Sequence, residues 1–463
     1  MEIGTRILLD LFIIYGAAVV GGSIASRLRQ PPVVGELVAG VVIGPHALGL
    51  AGEPNAALVT ALGSTEAARL ALEGAYAVLA EFGLVLLLFF VGLELRIGEL
   101  LAVGRRAALV GFGGIVLPFV SGYALATLLG WDTIEAIFLA AALVSTSTGI
   151  TARVLRDLGV IASTEARIIL AAAVIDDILS MIVIAVTGSL GERGEVSLQG
   201  ILFLVVEVAV FIVFVTLVGT RVIQRFGTGL AASDDTGNHF VAAIVLCLGL
   251  AVLASSIGMA PIIGAFLAGL VIGESWDAHR LMEAALPVYR LLVPFFFVIT
   301  GMRVDPALLI EPTVVGLAAL VTAVAVVTKL VSGMLGSVGL GLRSALIIGV
   351  GMVPRGEIGF VVVAMGRSLG VLSESIVSVV VVMTVVTTLI VPPVLGGLYR
   401  TPELPRPWGR LLPPPWRPLL PLPDGASLRD FTGAGRLPGL GPGPRARPRR
   451  SNAHAPADPD SAN

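Results

Sequence analysis

Asp176 and Asp177 are adjacent carboxylates inside an apolar stretch of helical length, and Lys329, the single lysine of the chain, sits inside another. The nearest charges flanking the aspartates are Arg167 and Glu192, roughly 14 Å and 23 Å away at about 1.5 Å of rise per helical residue. Lys329 is roughly 27 Å from Glu311 and 21 Å from Arg343 by the same rise. No side chain stretches that far to reach a headgroup. Charges at membrane depth are costly, and where they occur they mark paths for ions or protons. Burial and a like-charged neighbour both favour the protonated form of a carboxyl. A group that holds either a proton or a hard cation such as Na⁺, but never both, is enough to couple their exchange. Adjacent helical residues point about 100° apart, so the two aspartates do different work: one faces an aqueous cavity, the other a partner helix. Lys329 is the natural partner, because an ion pair lowers the cost of both charges and a desolvated lysine gives up its proton readily.

The composition says what kind of scaffold holds these groups. Of 463 residues 56% are hydrophobic and 13% charged, and the mean hydropathy is +0.97. The apolar residues come in long runs rather than alternating, which fits an all-α polytopic membrane protein and no soluble class. One cysteine, Cys247, excludes an intrachain disulfide framework, and four scattered histidines offer no metal-ligand spacing. No nucleotide-binding fingerprint is present; the many glycines read as close helix packing. The first apolar run, Ile7–Ser26, is too long for a signal peptide and is followed by Arg27 and Arg29 instead of a small-residue cleavage site.

Thirteen candidate spans follow from hydropathy: Ile7–Ser26, Val33–Leu50, Tyr76–Leu95, Ala107–Leu129, Ile134–Leu155, Thr164–Leu190, Val196–Ile223, His239–Ile257, Pro261–Gly273, Pro287–Met302, Thr313–Leu335, Ser344–Met365 and Val371–Leu398. Pro261–Gly273 is short for about 30 Å of hydrocarbon, so it should be tilted, sit in a thin region or extend further. Asn55–Gly74 reads as an amphipathic loop helix. Arginine placement puts the N-terminus outside: the loops then inside carry Arg27, Arg29, Arg96, Arg105, Arg106, Arg153, Arg156 and others, while the outer loops carry few. An odd number of spans puts the C-terminus in the cytoplasm. Residues 1–399 therefore form the membrane domain, and residues 400–463, rich in proline and arginine, a disordered cytoplasmic tail whose basic stretch Arg445–Arg450 can touch anionic headgroups.

An internal repeat is the second clue. Pro32-Val33-Val34-Gly35 with Ala39-Gly40-Val41-Val42-Ile43-Gly44 recurs as Pro261-Ile262-Ile263-Gly264 with Ala268-Gly269-Leu270-Val271-Ile272-Gly273. Phe89-Phe90-Val91 recurs more loosely as Phe296-Phe297-Val298. The copies begin on the second and ninth spans, an odd separation, so they cross in opposite directions. This is an inverted-topology repeat, about 31–190 against 260–398, the architecture of secondary transporters with a midplane site. Each half then needs a broken helix. The breakers are Ser145-Thr146-Ser147-Thr148-Gly149 in one half and Gly349 to Glu357, with Pro354, in the other. Unwound backbone is tolerated at membrane depth only where it is buried or lines a cavity. Arg355 and Glu357 either pair locally to hold the second break or take part in ion traffic. Thr146 and Ser147 either turn hydroxyls and freed carbonyls towards the aspartates or back-bond to the preceding turn. Glu94 ends its span and reads as a solvated boundary charge. An intramembrane aspartyl protease is disfavoured, since its two aspartates belong on separate helices.

Five stretches, in order, resemble monovalent cation:proton antiporter family 2, especially its bacterial Na⁺/H⁺ antiporters with an Asp-Asp pair. They are Pro32–Gly49, Ala80–Leu95, Val144–Leu155, Ala173–Ile178 and Met352–Gly359, within a similarity covering roughly Gln30 to Gly396. The resemblance implies an NhaA-like antiporter fold with two crossed broken helices and no enzyme activity. It also implies a homodimer with a dimerisation domain and a mobile core, exchanging by an elevator-like movement in a bacterial inner membrane. By motif position, Asp177 looks like the essential Na⁺- and proton-binding carboxylate and Asp176 like the partner of Lys329, the two together being the candidate Na⁺ ligands. Thr146 and Ser147 look like the unwound segment near the ion, and Arg355 and Glu357 like the charges of the second crossing helix. An Asp-Asp pair with a membrane lysine is the electrogenic pattern, two protons for one Na⁺. No cofactor is implied beyond the transported Na⁺, Li⁺ or K⁺ and H⁺. Relatives specialised for K⁺ efflux often carry a soluble nucleotide-binding domain, which the proline-rich tail cannot be, so Na⁺ is expected before K⁺.

Overall fold

The computed structural model describes residues 3–193, 198–230, 236–274, 278–309 and 312–400. The tail expected at 400–463 lies outside them beyond Arg400. Regular structure in the described residues is helical, with no strand. The helices are α1 (Ile3–Arg27), α2 (Pro32–Ile43), α3 (Ala56–Leu62), α4 (Thr65–Leu93), α5 (Ile97–Leu128), α6 (Thr133–Val144), α7 (Thr148–Asp157), α8 (Thr164–Arg193), α9 (Leu198–Leu230), α10 (Thr236–Ser256), α11 (Pro261–Gly273), α12 (Ala278–Met302), α13 (Pro312–Gly336), α14 (Leu342–Gly351), α15 (Glu357–Ser368) and α16 (Glu374–Arg400). Ten segments are long and apolar enough to cross a membrane, with α6 and α7 together making one of them; α2, α11, α14 and most of α15 are shorter apolar helices.

The differences from the hydropathy pattern have local causes. The second span stops at Ile43 rather than Leu50. Gly44 adopts extended backbone, φ −65° and ψ 169°, and Pro45 disfavours helical geometry in the residue before it. The loop helix over Asn55–Gly74 is two pieces. Gly63 takes a left-handed φ of +81°, ending α3, and the Ser64 side chain accepts from the Ala67 N–H to start α4. α4 therefore begins well before Tyr76. α11 has the bounds read from hydropathy, so it is not longer than its pattern.

Most of the helices pack in two sets, with α9 touching both through α11 and α8. α1, α2, α4, α10, α11 and α12 pack on one another, and α5, α6, α8, α13, α14, α15 and α16 do likewise. α7 meets both sets, touching α2 and α4 on one side and α8 and α16 on the other. In the first set the repeated sequence makes repeated contacts. A Cβ on Gly40 of α2 would lie 2.1 Å from the Val298 carbonyl oxygen and 3.0 Å from Gly301 Cα of α12. A Cβ on Gly269 of α11 would lie 2.1 Å from the Phe89 carbonyl oxygen and 2.9 Å from Gly92 Cα of α4. Only glycine allows backbones this close in an apolar setting, where packing rather than water exclusion joins helices.

Candidate functional site

α6 and α7 form one membrane-length segment interrupted at Ser145–Ser147, and the short helices α14 and α15 are separated by a break at Met352–Gly356. A hydroxyl-rich run ends the first helix, and Pro354 with Gly356 prevents the second from continuing. The two breaks meet. The Ser147 N–H donates to the Pro354 carbonyl at 2.7 Å, the Thr146 hydroxyl to the Met352 carbonyl at 3.4 Å, and the Thr151 hydroxyl to the Gly351 carbonyl at 2.7 Å. Backbone groups freed by one break are thus satisfied partly by the other, as burial demands.

Arg355 completes the junction. It is fully buried and donates to the carbonyls of Val144 at 3.1 Å, Ser145 at 2.7 Å and Ala325 at 3.0 Å. Its own N–H donates to the Thr387 hydroxyl, and the Thr388 hydroxyl donates to its carbonyl. A cation at the last carbonyls of α6 offsets the negative end of that helix dipole. Glu357 opens α15, but its side chain lies outside the described residues, and so does any pairing with Arg355.

The aspartates sit beside this junction on α8, both buried. Lys329 of α13 donates to Asp176 Oδ1 at 2.8 Å, and neither side chain has any exposure. Asp177 Oδ2 accepts from the Thr148 hydroxyl at 3.1 Å. A cavity of about 10 Å³ touches Asp177 and Thr148 between Leu88, Leu170 and Phe266. That is room for about one water-sized particle. From neighbouring positions about 100° apart on α8, Asp176 faces the lysine helix and Asp177 the small cavity.

Two residues of the site carry no distinguishing signal in the sequence. Thr148, rather than Thr146, is seen to hydrogen-bond Asp177; it is one more hydroxyl in the Ser-Thr-Ser-Thr run, set apart only by starting the second half-helix. Gly114 of α5 makes space for the ion pair. A Cβ there would lie 3.0 Å from Lys329 Nζ and 3.1 Å from Asp176 Oδ1. Gly114→Val is therefore expected to push the pair apart, lowering stability by about 1–3 kcal/mol as overpacking does. Thermal unfolding in detergent reads this; an unchanged midpoint would mean that α5 yields without strain.

Glu94 is not the solvated boundary charge its position suggests. Its carboxylate pairs with Arg156 at 2.8 Å and is 16% exposed. Burial raises its carboxyl pKa above the ordinary carboxylate range, against the pull of Arg156. No group of three or more His, Cys, Asp or Glu able to hold a metal exists among the described residues. A cation at Asp177 would thus draw its other oxygens from hydroxyls, carbonyls and water.

The chain matches the family described as sodium/hydrogen exchanger, transmembrane, over residues 14–399. It is 37% identical over 430 residues to the high-affinity Na⁺/H⁺ antiporter NhaS3 of Synechocystis, covering 87% of this chain and 93% of the relative. It is 34% identical over 377 residues to the Na⁺/H⁺-K⁺ antiporter GerN of Bacillus cereus, covering 81% and 91%. The solved structure of the sodium proton antiporter MjNhaP1 from Methanocaldococcus jannaschii matches with a TM-score of 0.60 at 16% identity, over 86% of this chain and 98% of that one. The fold is therefore shared with that structure. With a family match across most of its length and relatives this similar over nearly all of theirs, the chain belongs to the transmembrane sodium/hydrogen exchangers.

Proposed function

We propose that this protein exchanges Na⁺, or Li⁺, for protons by competition at Asp177. The observation that carries the reading is a buried carboxylate with a hydroxyl neighbour and a small cavity, next to a separate Asp176–Lys329 ion pair. Asp177 holds the proton or the cation, Thr148 and water supply further oxygens, and Asp176 with Lys329 balances charge beside it. Thr146, Ser147, Arg355 and Glu357 belong to the crossing that shapes the site; Arg355 keeps its α6 end compensated as the occupant changes.

The wider reading is a thirteen-span transporter with inverted repeats. α2, α11 and the α14–α15 pair each complete a crossing in it, and the matched glycine contacts of α2 on α12 and of α11 on α4 support the repeat. The two sets of packed helices support alternating access by movement of the aspartate-bearing set against the other, in a homodimer of a bacterial inner membrane with the N-terminus outside. Two protons for one Na⁺ moves one net charge per cycle, worth about 2.3 kcal/mol per 100 mV. The relative named as a Na⁺/H⁺-K⁺ antiporter gives K⁺ a second, weaker place. Proteoliposomes with a pH-sensitive dye separate the two: Na⁺ and Li⁺ should evoke proton flux, steepened by an imposed potential. Flux evoked by K⁺ alone would replace Na⁺ with K⁺ as substrate, and flux indifferent to potential would refute the two-to-one ratio.

A further inference from the structure

The half-helix α7 carries Arg153 and Arg156 one turn apart, and their partners lie mostly on the other set of helices. Arg153 pairs with Glu36 of α2 at 3.2 Å and donates to the Tyr289 hydroxyl of α12 at 3.3 Å. Arg156 pairs with Glu94, at the end of α4, at 2.8 Å. Both guanidinium groups lie over the Tyr289 ring, that of Arg156 at 4.0 Å and that of Arg153 at 5.4 Å from its centre. Arg153 and its partner carboxylate are 9% and 5% exposed, and Arg156 and its partner 13% and 16%. Ion pairs this buried are strong only while both members stay in place, and the stacking on aromatic faces adds to them. Asp157, on α7 itself, steadies Arg153 at 2.9 Å.

α7 is also bound to the aspartate site. Its first residue, Thr148, bonds Asp177, and its Thr151 bonds the second break. Any movement of the site against α2, α4 and α12 therefore has to part the arginines from Glu36, Glu94 and Tyr289. The opposite end of the same interface lies near Ser147 and Arg355. A cavity of about 50 Å³ there reaches Ser147 and Arg355 from Thr300 and Arg303, at the far end of α12 from Tyr289. A groove of about 540 Å³ beside Glu36, Arg153 and Tyr289 leaves space for water to solvate the charges once they separate.

We infer that Arg153 and Arg156 are positioning residues that clamp α7 onto α2, α4 and α12, closing the Asp157 end of the transport path and holding the protein in the state seen here. The clamp biases the equilibrium between the two access states; it does not bind the cation. This rests on the exchange reading above. Releasing it raises the share of the state open at the Asp157 end, and apparent affinity scales with the share of competent protein. The two faces must then respond in opposite directions.

The test uses Glu36→Gln and Glu94→Gln, which keep side-chain volume and leave the arginines stacked. Arg156→Lys is a third variant that keeps the charge but loses the planar stack. Each is reconstituted in oriented proteoliposomes, and Na⁺-evoked proton flux is measured with Na⁺ added on either face, with thermal unfolding in detergent as the check on folding. The expected result is an apparent KM for Na⁺ that falls at least threefold from the Asp157 face and rises at least threefold from the other. Arg156→Lys should shift it in the same sense by less. KM values that stay put, or move together on both faces, would overturn the clamp. Wild-type protein without Na⁺-evoked flux would instead overturn the exchange reading on which it stands.

Discussion

Asp177→Asn is expected to abolish cation-evoked proton flux while leaving the fold intact. Asparagine fills nearly the same volume and still accepts from Thr148, so the geometry of the α7–α8 contact survives. What disappears is the charge. A contact with a charged group is worth roughly 1.5–3 kcal/mol, a ten- to hundredfold change in affinity, and that loss falls on cation binding alone. Coupling suffers more than binding, because an amide cannot alternate between a bound proton and a bound cation. Flux should fall by about two orders of magnitude or more. The thermal midpoint should stay level or rise, since a neutral amide is easier to bury than a carboxylate. Flux that persists in the variant would remove Asp177 from the centre of the mechanism, and a collapse of the midpoint would make its role structural.

The second large effect is on stability. Lys329→Gln leaves Asp176 without its partner in a site that has no exposure. Removing one member of a buried pair typically costs about 3–5 kcal/mol, because the remaining charge is uncompensated. Replacing both members, Asp176→Asn with Lys329→Gln, exchanges the ion pair for two amides able to hydrogen-bond each other, and most of the loss should return. Thermal unfolding of the single and double variants in detergent reads the difference. A double variant as unstable as the single would show that the pair matters through packing around Gly114 rather than through charge.

The sequence exposes the parts of this site that break a strong rule. A charge deep in an apolar helix is conspicuous, so hydropathy alone singles out Asp176, Asp177 and Lys329, and in the fold Lys329 lies 2.8 Å from Asp176. Helix breakers at membrane depth are equally conspicuous, and both breaks fall where Ser145–Gly149 and Gly349–Glu357 place them. The α7 cluster is hidden for the opposite reason. Arg153 and Arg156 lie near a helix end, where arginines ordinarily meet water and headgroups, so in the sequence they count only as loop charges that set orientation. Hydropathy along one chain cannot tell whether such a residue faces solvent or the neighbouring helix. Glu94 misleads in the same way. Gly114 is lost among 56 glycines, since the need for space beside Lys329 exists only once α5, α8 and α13 are assembled. Arg355 stands out by its charge beside a helix break, but its three carbonyl partners come from the end of α6, the break after it and α13, which no local pattern brings together.

The central claim is that a proton and a cation compete for Asp177, and proton release on cation binding tests it most directly. Purified protein in weakly buffered detergent is titrated with Na⁺ or Li⁺ at a series of pH values, following both cation affinity and protons set free. Ligand carboxylates must be deprotonated to bind a metal ion, so binding should release protons. On the acid side of the titration, apparent cation affinity should weaken about tenfold per pH unit for each competing proton. Asp177→Asn should remove both the binding and the release. Cation binding of constant affinity across pH, with no protons released, would contradict the account.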